Sequence, residues 1–568
     1  MLKRLFSSLS ALLLIAACAT APQAAEPQTA SGSGLVSAAD PRGADAGARM
    51  LRLGGNATDA AIATMLALTV VEPQSSGIGG GGFFVRGTPQ GDVATLDGRE
   101  TAPAAAKPDW FMKDGKPLPF DAAVLSGLSV GVPGNIALAA EAHRRFGKLG
   151  WAQLFEPAIA LAEEGFRISP RLHDFLIRNR DRAAHGESGK RLFYDEQGQP
   201  LPIGTLVLNP QLADSLREIA VDGPRGFYEG RQAKALASAV AAATPHPGKM
   251  QPSDLAAYAA KERPALCGLY RGWRICGMGP PSSGATTVFA ILKQLEGFDL
   301  AGLGSASPIA WHLIAESQRL AYADRERYLA DPDFVRVPVE GLAKPDYLAA
   351  RGGLIDPVDA MASVEPGRPD GAPPPAADGV APEEGGTSHF VAVDGGGTAV
   401  SYTSTIEGAF GSGIVVGGYY LNNELTDFSF IPDRGGQPVA NRVEGGKRPR
   451  SSMAPTVAYA PDGRLAVAVG AAGGATIPAQ VARVLIGLID WGLTVEQALA
   501  LPVIFAPGDT VYVEAGSTLE DMMPSLRELG HKEVLARDLP LKANAAAWTA
   551  SGWQGAADPR SEGAIANE

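Results

Sequence analysis

Apolar and polar positions along the chain follow two spacings, one typical of helices and the other of strands. Apolar residues that recur every three or four positions predict helices at residues 45–68 (broken at Gly54-Gly55-Asn56), 135–145, 151–164, 211–219, 233–242, 308–328, 479–491 and 495–501. Runs rich in β-branched and aromatic residues predict strands at residues 83–85, 93–97, 388–394, 399–405, 457–459 and 465–469. The pattern therefore predicts a fold that mixes helices and strands.

One segment interrupts this pattern. Residues 364–386 contain six prolines, and we expect them to be exposed and extended because proline lacks a backbone donor and restricts its neighbour. The segment ends at Thr387, where strand character begins. A long loop of this kind inside a compact domain is usually a linker or a functional element.

Composition narrows the class of protein. At about 150 residues per domain, a chain of 568 residues would hold three or four domains. Hydrophobic residues make up 45% and charged residues 19% of the chain, which is typical of a globular protein and excludes a disordered or coiled-coil one. The net charge is −12. An acidic chain without a basic block is not expected to bind nucleic acid.

The N-terminus has the pattern of an export signal. Two early charges precede a short apolar run and small residues, so residues 1–17 are predicted to be a signal peptide. The ending Ile-Ala-Ala-Cys18 resembles the lipobox of bacterial lipoproteins, which predicts lipidation of Cys18, a flexible tether over residues 18–34 and a periplasmic, membrane-anchored protein. The alternative is an ordinary signal peptide cut near Ala17 or Ala25, with loss of Cys18.

The other two cysteines flank a predicted hairpin. Arg271-Gly272 reads as a two-residue turn, and pairing Tyr270 with Trp273 places Cys267 opposite Cys276. Export leads to an oxidising compartment, so we predict a disulfide between them. Two buried thiols are the alternative.

Two short motifs match catalytic or cofactor patterns only as strings. The glycines of residues 77–82 fit G-x-G-x-x-G, but a helix precedes them and a strand follows, the reverse of a dinucleotide site. They are instead expected to allow close backbone approach. Ser129 lies in G-x-S-x-G, yet no sharp strand-to-helix turn surrounds it, which favours a packed turn. The sequence also contains no H-E-x-x-H motif. We therefore predict no cofactor and no metal.

Gly385-Gly386-Thr387 is a third motif, and its threonine could act as a nucleophile. A threonine hydroxyl is a weak nucleophile unless a base lies beside it, and one solution is the residue's own α-amino group. That amine has a pKa of about 7.7–8 and can accept the hydroxyl proton near neutral pH. It exists only if the chain is cut directly before Thr387.

Many ordered sequence blocks, together with this one, resemble the γ-glutamyltranspeptidase family. The resemblance runs from about Gly34 to Pro559 and is carried by Gly-Gly-Asn56-Ala-Thr-Asp59, Val-Glu72-Pro73, Leu96-Asp-Gly-Arg99-Glu100, Pro280-Pro-Ser-Ser-Gly284, Ala323-Asp-Arg325, Thr387-Ser-His389, Leu421-Asn-Asn-Glu424, Asp427-Phe-Ser429, Lys447-Arg-Pro-Arg-Ser451-Ser452, Gly473-Gly474 and Asp558-Pro-Arg560.

The resemblance implies a precursor that cuts itself between Gly386 and Thr387. The products would be a large subunit (residues 35–386) and a small subunit (residues 387–568) that stay together as a heterodimer. The implied fold is the α+β, four-layer αββα sandwich of the N-terminal-nucleophile hydrolases, which makes the chain one composite domain.

The resemblance also assigns roles to individual residues. Thr387 would be the nucleophile, and Thr405 would hydrogen-bond and position it. Gly473 and Gly474 would offer backbone N–H groups to the oxyanion.

A γ-glutamyl donor carries a free α-carboxylate and a free α-ammonium group. Arg99 would bind the carboxylate with help from the hydroxyls of Ser451 and Ser452. Glu424 and Asp427 would accept hydrogen bonds from the ammonium group.

The sequence departs from the family pattern at three places. Glu407 replaces a common asparagine in the substrate pocket, where a carboxylate adds to ammonium binding. Residues 470–476 lack the usual Ser-Pro before the glycines and the arginine that often follows them. The stretch from Asp427 to Ser451 is short, which implies an open, lidless site.

The expected activity is transfer of a γ-glutamyl group from glutathione or similar amides to water or an amino acid, through an ester on Thr387. Two alternatives stay open. One is a glutaryl amidase of the same superfamily, such as a cephalosporin acylase. The other is a non-catalytic lipoprotein that keeps the fold as a binding module, in which case the chain stays uncut.

Overall fold

The computed structural model describes residues 34–373 and 386–568. The predicted signal peptide (1–17), the lipidation site Cys18 and all of the tether except Gly34 lie outside the described residues. No helix within the described ranges is both long and apolar enough to cross a membrane.

Two antiparallel sheets form the centre of the molecule. In spatial order, the strands of the first sheet are Ala564–Asn567, Leu35–Ala38, Gly386–Val393, Ala399–Glu407, Gly81–Gly87, Val93–Gly98 and Lys261–Arg263. Those of the second are Gly552–Ala557, Lys542–Thr549, Leu465–Ala472, Thr456–Tyr459, Trp273–Met278 and Ala265–Tyr270. In both sheets, strands from before and after residue 386 are hydrogen-bonded neighbours, so the two parts of the chain share each sheet.

Helices cover the outer face of each sheet. Those over the first sheet include Pro41–Arg52, Ala57–Val71, Asn135–Phe146, Glu156–Glu163, Pro210–Asp222 and Gly230–Ala242. Those over the second include Gly284–Leu295, Pro308–Tyr328 and Ile477–Ile489.

Shorter elements complete the described chain. The remaining helices are Phe120–Val124, Pro170–Arg178, Arg180–Ala183, Glu187–Phe193, Arg225–Tyr228, Pro252–Ala256, Leu300–Leu303, Val339–Leu342, Pro345–Gly352, Val495–Ala500, Thr518–Asp521 and Met523–Glu528, with 3-10 turns at Trp151–Phe155, Glu424–Asp427 and Gly474–Thr476. A third sheet joins Ile504–Phe505, Thr510–Glu514 and Glu533–Arg537, and two-residue strands pair at Met112–Lys113 with Lys116–Pro117, Phe166–Arg167 with Leu206–Val207, Val415–Val416 with Tyr419–Tyr420, and Asp433–Arg434 with Gln437–Pro438.

The central strand Gly386–Val393 shows why the layers stack. Side chains alternate between the faces of a strand. Phe390 and Ala392 pack in the core beneath the helices of the first sheet. Val391 and Val393 pack in the core shared with the second sheet. The strand is therefore buried on both faces, between a helical layer and the second sheet. This is the arrangement of the αββα sandwich expected from the resemblance.

Most predicted elements are confirmed within two or three residues, with two corrections. The segment predicted as one helix at 151–164 begins as a 3-10 turn, Trp151–Phe155, before the α-helix starts at Glu156. The loop predicted to extend through residue 386 ends earlier, because Gly386 already belongs to the buried central strand. Residues 364–373, in contrast, form neither helix nor strand, as predicted.

The predicted hairpin has the register derived from its turn. Tyr270 is opposite Trp273, and Cys267 is opposite Cys276. Arg271 has a φ of 51° and Gly272 a φ of 81°, as a tight turn between right-twisted strands requires. The two cysteines are joined in a disulfide, with their Cα atoms 4.1 Å apart.

Candidate active site

Thr387 and Thr405 lie side by side on neighbouring strands of the first sheet. They are register partners, and their Oγ1 atoms are 3.1 Å apart. Thr405 Oγ1 also donates to the carbonyl oxygen of Gly386 at 2.8 Å and accepts from the backbone N–H of Glu407 at 2.8 Å. Thr405 therefore contacts both the candidate nucleophile and the peptide bond that precedes it.

The backbone around this pair is irregular. The register shifts between Gly386 and Thr387, and a bulge of this kind redirects a side chain and interrupts pairing. On the opposite strand, Glu407 has a φ of 74°, a conformation that is uncommon for a residue with a side chain and frequent at functional sites.

Arg99 follows the strand Val93–Gly98 and is buried, with 1% of its surface exposed. Its guanidinium pairs with Glu424 and, at 2.5 Å, with Asp427 Oδ2. It also donates to the carbonyl oxygens of Pro449 and Arg450, at 3.1 and 2.9 Å. These four contacts fix the position of the cation at the base of the site.

Three carboxylates converge beside this arginine. One oxygen each from Glu407, Glu424 and Asp427 lies within 4.8 Å of the others. Carboxylate oxygens arranged in this way can accept hydrogen bonds from a substrate ammonium group or bind a metal ion.

Ser451 and Ser452 are buried at the same site. Ser451 Oγ accepts from the backbone N–H of Met453 at 3.1 Å. Ser452 Oγ accepts from Arg325 at 2.5 Å, and Arg325 also donates to Ser283 Oγ at 2.9 Å. Ser452 is thereby held by Arg325, a buried arginine of the long helix Pro308–Tyr328.

Glycines permit close packing around the candidate nucleophile. A Cβ at Gly80 would lie 1.9 Å from the carbonyl oxygen of Thr405, and one at Gly473 would lie 2.3 Å from that of Pro540. Gly473 and Gly474 also have φ angles of 133° and 58°. The loop at residues 77–82 is thus a close-approach element, as predicted, and Gly473-Gly474 has a conformation that disfavours other residues.

A single pocket gathers most of the predicted residues. It is lined by Arg99, Thr387, Thr405, Glu407, Asp427, Ser451, Ser452, Met453, Gly474 and Ile477. Glu424 does not line the pocket but pairs with Arg99, which does. Ser129 does not line this pocket. It is buried, and its hydroxyl donates to the carbonyl oxygens of Val124 and Ser126, which agrees with the packed turn predicted for it.

Sequence reasoning assigned no role to four residues in or beside this pocket. Arg325 holds Ser452, and Met453 and Ile477 supply apolar walls. Glu100 lies behind Arg99, 4.0 Å from its guanidinium, and burial raises the pKa of its carboxyl to about 8. Arg325 and Glu100 stood in the blocks that carried the resemblance, which was the available signal.

The segment between Asp427 and Ser451 includes a small exposed hairpin. Its strands, Asp433–Arg434 and Gln437–Pro438, are exposed. Asn441, further along, donates to the carbonyl oxygen of Asp427 at 2.7 Å and accepts from the backbone N–H of Arg450 at 2.9 Å. Asn441 therefore links the two ends of the segment, Asp427 and Arg450, through their backbones.

A four-layer sandwich with a buried threonine at the head of its central strand defines the class of self-processing N-terminal-nucleophile hydrolases. Comparison with known proteins agrees with this class. The family model for gamma-glutamyltranspeptidase matches residues 43–568. The chain belongs to the gamma-glutamyltranspeptidase family.

Individual relatives cover nearly the whole chain. It is 38% identical over 509 residues to a glutathione hydrolase proenzyme of Bacillus subtilis (strain 168), an alignment that covers 88% of this chain and 85% of that protein. It is 34% identical over 548 residues to the acylase ACY 1 proenzyme of Pseudomonas sp. (strain V22), covering 95% and 94%. The crystal structure of cephalosporin acylase from Bacillus halodurans superposes with a TM-score of 0.82 at 26% identity, covering 97% of this chain and 99% of that one.

Proposed function

We propose that this family member cuts itself between Gly386 and Thr387 and then transfers γ-glutamyl groups from glutathione or similar amides to water or an amino acid. The observation that carries the proposal is the position of Thr405. Its hydroxyl is hydrogen-bonded to the carbonyl oxygen of Gly386 and lies beside the hydroxyl of Thr387.

Self-cleavage begins with attack of Thr387 Oγ1 on the carbonyl carbon of Gly386. Donation from Thr405 draws electron density toward the carbonyl oxygen and stabilises the developing oxyanion. The hydroxyl proton passes to the nitrogen of Thr387 as the C–N bond breaks, so the chain continues through an ester and the nitrogen becomes a free amine. Water then hydrolyses the ester, which leaves Gly386 as a carboxylate and Thr387 as the first residue of the small subunit.

The same hydroxyl then acts on substrate. The new α-amine of Thr387 takes the hydroxyl proton, and the oxygen attacks the γ-carbonyl of the donor. The donor amine leaves with that proton. Water or an amino acid releases the acyl group from the ester and restores the enzyme, with Gly473 and Gly474 as the proposed N–H donors to each oxyanion.

Charge in the pocket supports an amino-acid-like donor. A γ-glutamyl group would place its α-carboxylate on Arg99 and the serine hydroxyls, and its ammonium group among Glu407, Glu424 and Asp427. A glutaryl group has no ammonium group and would lack the charge-assisted hydrogen bonds to these carboxylates that a γ-glutamyl group is proposed to make.

A glutaryl amidase is the second candidate, and the acylases among the relatives favour it. Turnover of γ-glutamyl and glutaryl p-nitroanilides by the purified enzyme separates the two. We expect the γ-glutamyl substrate to have the higher kcat/KM. Turnover of the glutaryl substrate alone would contradict the proposal, and an uncut chain inactive on both would favour the non-catalytic binding module.

The proposed location rests on the N-terminal sequence. Export by the signal peptide at residues 1–17, lipidation of Cys18 and attachment at the periplasmic side of a bacterial membrane form one proposal. Its test is the partition of the protein into detergent, beside a Cys18→Ser variant that should remain in the aqueous phase. The two subunits, residues 35–386 and 387–568, are proposed to stay together because they share both sheets.

A further inference from the structure

A buried ion pair lies directly behind the candidate nucleophile. Lys542 Nζ donates to Glu72 Oε2 at 3.0 Å and to Oε1 at 3.2 Å. Ser388 Oγ donates to the same Glu72 Oε2 at 2.5 Å, and Lys542 Nζ lies 3.3 Å from Ser388 Oγ. All three residues are buried. Ser388 is the residue next to Thr387, so the cluster is one peptide unit from the proposed nucleophile.

Lys542 connects this cluster to the glycines proposed for the oxyanion. It is the first residue of the strand Lys542–Thr549, and its register partner is Ala472. Ala472 immediately precedes Gly473, which also packs against the carbonyl of Pro540. A displacement of Lys542 would therefore act on the position of Gly473 from two sides.

Glu72 connects the cluster to the strand that carries Thr405. Glu72 caps the helix Ala57–Val71, and its carbonyl accepts the backbone N–H of Ser75 at 2.9 Å. The carbonyl of Ser75 accepts the backbone N–H of Ile406 at 3.4 Å, next to Thr405, and Ser75 Oγ accepts from Lys542 Nζ at 3.3 Å. One network thus contacts the three elements that carry Thr387, Thr405 and Gly473.

The charges and hydrogen bonds around the pair favour its ionised form. Burial acts to raise the pKa of Glu72, but the charges of Lys542 and Arg171 and the hydrogen bond from Ser388 outweigh it and lower that pKa. Burial lowers the pKa of Lys542 to about 8, against the opposing charge of Glu72. Near neutral pH the cluster is therefore a salt bridge, and a partner left alone would be a buried unpaired charge.

We propose that Glu72, Lys542 and Ser388 form a positioning network that holds Thr387 in line with its oxyanion donors after the chain has been cut. The inference rests on the proposed function. Cleavage removes the covalent bond between Thr387 and Gly386, so the strand acquires a free end at the residue that must stay fixed. The side chain of Ser388 is the first one beyond that end, and the network clamps it to both subunits.

The test compares Ser388→Ala with Ser404→Ala in the cut enzyme. Ser404 is the register partner of Ser388, is equally buried, and its hydroxyl accepts from Asn135 at 2.9 Å rather than from the network. For Ser388→Ala we expect kcat for γ-glutamyl p-nitroanilide to fall at least tenfold, with KM within twofold and the unfolding temperature within two degrees of Ser404→Ala. Ser388→Thr, which restores the hydroxyl, should recover kcat to within threefold.

Two results would overturn the inference: equal kcat in the two alanine variants, or a loss that follows the unfolding temperature and is not recovered by threonine. Lys542→Met combined with Glu72→Gln neutralises the pair without leaving one charge alone, and should give the same selective loss of kcat. If that double variant folds and keeps wild-type kcat, the network does not position the nucleophile. A wild-type protein that stays uncut or inactive contradicts the proposed function instead, so the two failures are distinguishable.

Discussion

Replacement of Glu407 by asparagine tests how the pocket selects its donor. One oxygen of Glu407 lies within 4.8 Å of oxygens of Glu424 and Asp427, so a substrate ammonium group bound among them is expected within hydrogen-bonding distance of all three. A carboxylate whose charge is centred about 4 Å from a cation contributes about 4 kcal/mol at an effective dielectric constant of about 20. The asparagine carbonyl retains a hydrogen bond to the charged ammonium group, which contributes about 2 kcal/mol.

The expected net loss for a γ-glutamyl donor is therefore about 2 kcal/mol, or about 30-fold in kcat/KM. A glutaryl donor has no ammonium group, and for this substrate removal of one carboxylate should leave kcat/KM unchanged or raise it. Backbone strain does not explain a loss, because asparagine adopts the positive φ of residue 407 more readily than glutamate does.

The assay is the initial rate of p-nitroaniline release from the γ-glutamyl and glutaryl anilides. Glu407→Gln separates charge from shape, and Glu340→Gln, at an exposed position, controls for loss of a carboxylate elsewhere. If Glu407→Asn leaves kcat/KM for the γ-glutamyl anilide within threefold of wild type, or lowers both substrates equally, the assignment of Glu407 to ammonium binding is wrong.

Three further perturbations test other parts of the site. Thr405→Val should slow both self-cleavage and turnover at least tenfold, because it removes the donor to the Gly386 carbonyl. The control variant Thr405→Ser keeps that donor and should cleave itself at the normal rate. A time course of cleavage on a denaturing gel checks this, and normal cleavage of the valine variant would contradict it. Arg99→Lys keeps the charge but loses the paired contacts, so kcat/KM for γ-glutamyl anilide should fall at least 100-fold while self-cleavage continues; an uncut Arg99→Lys chain would show that the arginine acts on folding instead. Glu100→Gln should raise the unfolding temperature at pH 8 but not near pH 4.5. In the folded protein the pKa of Glu100 is raised to about 8, against about 4.5 in the unfolded chain. The stabilising contribution of the protonated carboxyl is therefore complete below pH 4.5 and is lost at about 1.4 kcal/mol per pH unit as the pH rises toward 8. An equal shift of the unfolding temperature at both pH values would contradict that linkage.

Local geometry was enough to predict the cysteine pair, because the Arg271-Gly272 turn sets the register of its hairpin. The pairing of Thr387 with Thr405 was implied by the family resemblance. In the structure these two residues are 18 positions apart on adjacent strands of one hairpin.

Other parts depend on tertiary packing that the sequence pattern does not encode. The strand Lys542–Thr549 contains four alanines, which have little intrinsic preference for strands. It is a strand because it pairs with Leu465–Ala472 on one side and Gly552–Ala557 on the other. Lys542 and Glu72 are 470 residues apart, and Arg325 reaches Ser452 across 127. No periodicity links positions that distant, so these contacts are visible only in the folded chain.

The central claim, that Thr387 becomes an N-terminal nucleophile by self-cleavage, is tested most directly by intact mass analysis of the purified protein beside a Thr387→Ala variant. The account predicts two chains from the wild type, the smaller one running from Thr387 to Glu568, and a single uncut chain from the variant. A wild-type chain that stays whole at neutral pH, a small chain that begins at another residue, or cleavage of Thr387→Ala at the same bond would contradict it.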